Sequence, residues 1–102
     1  MNINVDNFVA VNDKRPGQES FKVFGTVNVG HPGIEPLLVE PSIRHKGGWE
    51  VLNLELRDNG GIHLQVVTRK TVHFERAGGS AWQGVEINHP GGMSTIKIVT
   101  VE

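Results

Sequence analysis

Hydrophobic and polar residues alternate along most of this chain, and a period of two is the signature of a strand with one buried face. Phe21, Val23, Gly25, Val27 and Val29 share one parity, and Lys22, Phe24, Thr26 and Asn28 the other. Leu52, Leu54 and Leu56 repeat the pattern. Ile62, Leu64, Val66, Val72 and Phe74 extend it against His63, Gln65, Arg69, His73 and Glu75. Thr95 to Val101 is a β-branched run interrupted by Lys97. Between Ile3 and Val11 the phase changes, as a bulge or a strand covered on both faces would require.

Turn chemistry separates these runs. Arg15-Pro16-Gly17-Gln18, His31-Pro32-Gly33-Ile34 and His89-Pro90-Gly91-Gly92 each place Gly after Pro. Proline presets φ at the second turn position and glycine accepts positive φ at the third. Asp58-Asn59-Gly60-Gly61 reads as a hairpin turn. Lys46-Gly47-Gly48 and Ala77-Gly78-Gly79-Ser80 complete the set. Strands are predicted over about 3–11, 20–29, 37–44, 49–57, 61–68, 70–76, 81–88 and 94–101. The absence of any tight-turn residue from Val66 to Thr71 predicts a bend between two sheets there, with Lys70 on the apolar parity as its sign. Pro41 marks an edge strand or a bulge.

Many short strands with glycine-rich turns and no helical period predict an all-β domain spanning residues 1–102: an antiparallel β-sandwich of seven or eight strands, with a small β-barrel as the alternative. The two Val-x-(Val/Ile)-x-His-Pro-Gly segments at 27–33 and 85–91 are two strands entering similar turns, because the match extends no further outward.

Composition narrows the function classes. With 102 residues, a formal net charge of -1 and scattered Lys and Arg, the chain offers no basic field for nucleic acid. It has no apolar stretch long enough to span a bilayer as a helix. The absence of cysteine excludes a disulfide framework, thiolate metal sites and a cysteine nucleophile, and suits a reducing, cytoplasmic location.

Candidate chemistry is sparse. The five histidines show no HxH, HxxH or HExxH spacing. His63 and His73 share a parity but would lie about 33 Å apart on one straight strand. His31 and His89 meet only if their turns lie at the same end. Ser80 follows a glycine but sits in no strand–turn–helix elbow. Glu50 and Glu55 fall on opposite faces, and Glu75 with Glu86 could be neighbours only across a hairpin. No catalytic residue, metal ligand or cofactor is therefore assigned.

Trp49 and Trp82 both start strands, which places them at the rim of the domain. An aromatic ring exposed there can stack on a sugar or anchor a protein. They are the candidate ligand-binding residues. The leading expectation is a non-enzymatic module acting through protein–protein contacts or self-association as a homo-oligomer. The alternatives are carbohydrate binding through the rim tryptophans, and a metal-dependent enzyme using histidines.

Overall fold

A computed structural model describes residues 7–42, 45–61 and 64–101. Eight strands form one mixed sheet: β1 (Val9–Asp13), β2 (Ser20–Val29), β3 (Ile34–Val39), β4 (His45–Lys46), β5 (Trp49–Asp58), β6 (Thr68–Ala77), β7 (Gly84–His89) and β8 (Gly92–Val101). The spatial order is β3-β5-β7-β8-β1-β2-β6, with the short β4 on β5. There is no helix among the described residues, and hence none long and apolar enough to cross a membrane.

The all-β expectation holds, in the form of its barrel alternative: the sheet curls until its two ends, β3 and β6, nearly meet. Two features correct the simple antiparallel sandwich. First, β1 runs parallel to β8 and β5 runs parallel to β7. Second, β8 belongs to both halves, pairing residues 92–97 with β7 and residues 98–101 with β1. One strand shared in this way turns two sheets into a single curved one.

The seam between β3 and β6 is closed by side chains. Lys70 Nζ donates to Glu35 Oε1 and to the Pro32 carbonyl, each at 2.6 Å. Arg76 reaches Glu40, one residue past β3, at 3.2 Å. Pro36 lies within β3, where an edge strand tolerates a residue without an N–H. The predicted strand 37–44 is thus displaced towards the N-terminus, and its edge character comes from Pro36 rather than Pro41.

The core follows the period-two reading closely. Phe21, Val23, Val27 and Val29 from β2 pack with Leu52, Leu54, Val72, Val85, Ile87 and Ile98. Phe8 enters beside Gly25, whose missing side chain makes the slot: a Cβ there would lie 2.2 Å from the Phe8 ring. The ring of Phe21 meets Phe74 edge to face at 6.1 Å between centroids.

Three other expectations are revised. The Asp58-Asn59-Gly60-Gly61 segment is not a hairpin, because β5 pairs with β3, β4 and β7 while β6 pairs with β2. Asp58 and Asn59 instead cap their own turns, accepting from the Gly60 and Gly61 N–H groups. The predicted strand 61–68 is not formed over Leu64–Val67, which lie beyond the last β2–β6 pair, Val29 with Thr68, and are exposed. Lys70 lies well inside β6, where its apolar parity aims it at the seam. The turn at 31–34 closes by Ile34 N–H to the His31 carbonyl at 3.2 Å, but without the positive φ that Gly17 and Gly91 adopt.

Candidate functional site

At the end of the barrel where β1 and β6 finish and β5 begins, the interior is polar. Glu50 is 4% exposed, on the same parity as Leu52 and Leu54. Arg76 grips its carboxylate with two nitrogens, Nη2 to Oε2 at 2.8 Å and Nη1 to Oε1 at 3.2 Å. The guanidinium also lies 5.1 Å from the centroid of the Phe21 ring. Its hydrogen bonds to Glu50 raise the Arg76 pKa further above its ordinary value. Burial of such a pair is tolerable only when the remaining hydrogen-bonding capacity is satisfied. Here the Ser80 hydroxyl donates to Glu50 Oε2 at 2.5 Å, and Arg76 Nη2 also donates to the Gly79 carbonyl.

Asn12, fully buried, fastens the loop that covers this network. Its amide accepts from the Ser80 N–H at 3.0 Å and donates to the Ser80 carbonyl. Gly79 must approach closely for this: its φ is +70°, and a Cβ would lie 2.7 Å from Asn12 Oδ1. The Trp82 N–H then donates to Ser80 Oγ at 3.2 Å, and the Gln83 carbonyl accepts from the Ile98 N–H. The loop from Gly79 to Gln83 is thereby tied at both ends.

That loop carries Trp82 to the wall of an open groove of roughly 740 Å³, lined by Gly47, Gly48, Trp49, Ala81, Trp82, Gln83, Thr95, Ile96 and Lys97. A neighbouring hollow of roughly 400 Å³ shares Ala81, Trp82, Gln83 and Lys97 and adds Asn12, Lys14, Ser80, Ile98 and Thr100. Both sequence-selected tryptophans therefore meet at one groove, Trp49 at 40% and Trp82 at 36% exposure. Each rests on a glycine. A Cβ on Gly84 would lie 2.1 Å from Trp49 Cζ3, and one on Gly48 would lie 3.8 Å from the Trp82 ring.

The other candidates do not converge. His31 accepts the Gly33 N–H at Nδ1, so Nε2 carries the proton that reaches Asp58 at 3.0 Å. His89 bonds the Pro90 carbonyl and Ser94. His73 faces outward, 3.9 Å from Glu75. His63 lies outside the described residues. No group of three metal-binding side chains occurs among the described residues. Glu75 and Glu86 sit on β6 and β7, which do not pair, so they are not hairpin neighbours. The Ser80 hydroxyl is committed to a carboxylate rather than to an imidazole.

The sequence reading missed Asn12, Glu50 and Arg76 as a set. The signal was present: each shares the parity of its strand's core residues and sits at a strand end. Compared with family models, with curated proteins and with solved structures, the chain matches none.

Proposed function

We propose that this protein is a non-enzymatic binding module whose groove between Trp49 and Trp82 takes a carbohydrate. The observation that carries the reading is the pair of half-exposed indoles on one open groove, Trp49 seated in the space left by Gly84 and Trp82 on a loop tied at both ends. Sugars present apolar C–H faces that stack on indole, and hydroxyls that need amide and hydroxyl partners. Gln83 and Thr95 supply such groups beside the rings. The tied loop keeps Trp82 in place before the ligand arrives, which lowers the ordering cost of binding. Titration of tryptophan fluorescence across an oligosaccharide panel tests this. A saturable change that disappears in the Trp82→Ala variant is expected. Unchanged emission with every sugar overturns it.

A second reading, self-association, has its own observation. Val9, Phe24, Val99 and Val101 are exposed on the outer face of adjacent strands β8, β1 and β2. Val9 faces Phe24 across one pair, and Val11 faces Val99 across the other. An exposed apolar patch commonly marks a contact surface, and here it surrounds Val11 and its cross-strand neighbour Lys22. Sedimentation across a wide concentration range should show a dimer that the Phe24→Glu variant dissolves. A monomer mass throughout removes this reading. A cytoplasmic location belongs to the proposal through the cysteine-free composition, and cell fractionation checks it.

A further inference from the structure

Charge around Trp82 narrows the ligand class. The chain as a whole is slightly acidic, with formal net charge -1. Yet the groove and its neighbouring hollow are lined by two lysines, Lys14 and Lys97, and by no carboxylate among the described residues. Elsewhere four cations are matched, Arg15 with Asp13, Arg57 with Glu55, Lys70 with Glu35, and Arg76 with Glu40 and Glu50, while Lys22 on β2 and Arg69 on β6 form no ion pair with a described residue and line neither hollow. Lys14 and Lys97 form no ion pair with any described residue. Glu50, the nearest buried carboxylate to this loop, is already neutralised by Arg76 and covered by Ser80.

From this we infer that the groove selects an anionic oligosaccharide, one carrying carboxylate or sulfate groups. The inference rests on the carbohydrate reading and adds its charge. The indoles take the apolar faces of the sugar rings, Gln83 and Thr95 take hydroxyls, and the two ammonium groups meet anionic substituents. Lys97 is shared by both hollows, so it serves as the central cation and Lys14 as the outer one. An ammonium is a compact point charge with rotatable donors. It selects for negative charge without imposing the planar geometry that a guanidinium demands, so the same pair accepts a carboxylate or a sulfate.

The test is a fluorescence and calorimetric titration of the full chain with three oligosaccharides of equal length: an oligogalacturonate, a sulfated galactan fragment and a neutral galactan fragment. At least one acidic ligand should bind about tenfold more tightly than the neutral one in low salt, the scale of two solvent-facing ion pairs. That advantage should shrink in high salt. Lys97→Gln should lower the affinity for the acidic sugar more than that for the neutral one and so remove most of this advantage, and Lys97→Arg should restore it. Lys97 is solvent-facing, and thermal melts confirm that both variants fold. Equal, salt-insensitive binding of acidic and neutral sugars overturns the charge inference and leaves the carbohydrate reading standing. Failure of all three sugars overturns both. Binding of oligo-dT that needs Trp82 and Lys97, with no sugar binding, overturns both in favour of a single-stranded nucleic acid.

Discussion

Trp49 lies directly on the backbone of Gly84, one strand away in the parallel β5–β7 pair, where a Cβ would fall 2.1 Å from the indole. The orientation of one groove wall is therefore set by an absent side chain on the neighbouring strand. Replacing Gly84 with alanine should push the ring off β7. The expected results are a red shift of Trp49 emission in a Trp82→Phe background and a stability loss of about 1–3 kcal/mol, the usual range for overpacking. Sugar affinity should fall with the shift. An unchanged spectrum would mean that the ring has another resting place.

Glu50 and Arg76 should behave as a buried pair. Glu50→Gln leaves the guanidinium opposite a neutral amide, with 23% of its side chain exposed and Glu40 still in reach. The cost should be about 2–3 kcal/mol, below the full range for a buried pair because Arg76 is partly exposed. Urea denaturation measures it. The double variant Glu50→Gln, Arg76→Met should cost less than the sum of the two single changes, since neither partner is then left alone.

Gly25 and Phe8 give a packing test. Gly25→Ala places a methyl where the Phe8 ring sits, and should destabilise the barrel by about 1–3 kcal/mol. Phe8→Leu alone costs stability by leaving space beside β2. Combined, the two should offset one another by more than about 0.5 kcal/mol, the coupling expected of residues in direct contact. Strict additivity would contradict the shared slot.

Asp13 makes part of the stability depend on acid. Its carboxylate accepts the Arg15 side chain at 2.7 and 3.0 Å and the Arg15 backbone N–H at 3.0 Å. The side-chain bonds come first in holding its pKa at about 2, against an ordinary 3.8. The folded state therefore binds the proton more weakly than the unfolded chain. The contribution is complete above the ordinary value and is lost as pH falls through about 2. Asp13→Asn should be less stable than the parent at neutral pH, and the gap should close between about pH 4 and pH 2. Carbon-detected NMR titration of the side chain reads the pKa directly, and a value near 4 would refute the argument.

Local rules were legible in the chain because each depends on near neighbours. Parity alone placed Phe21, Val23, Val27, Val29, Leu52 and Leu54 inside, since side chains of a strand alternate whatever strand lies beside it. The Pro-Gly and Gly-Gly positions marked the breaks, since φ is a property of the residue. The same turns placed Trp49 at the start of β5, but Trp82, expected to start a strand at 81–88, lies in the loop before β7, which begins only at Gly84. Parity failed at Leu64 and Val66, which keep the alternating pattern but run past the end of the neighbouring strand. A pattern specifies a face only where a partner exists to cover it.

Pairing was decided by the tertiary structure, because strands of similar composition are interchangeable until the whole sheet closes. Nothing local says that β5 turns away after Asp58 to leave β6 for β2, or that β8 divides its length between β7 and β1. That division curls the sheet, brings β3 to β6, and makes the seam in which Lys70 and Arg76 find Glu35, Glu40 and Glu50. The in-phase polar residues Asn12, Glu50 and Arg76 were written in the sequence as three separate exceptions. Only closure of the barrel made them one network, and that network ties the start of the loop that carries Trp82 to the groove that Trp49 lines.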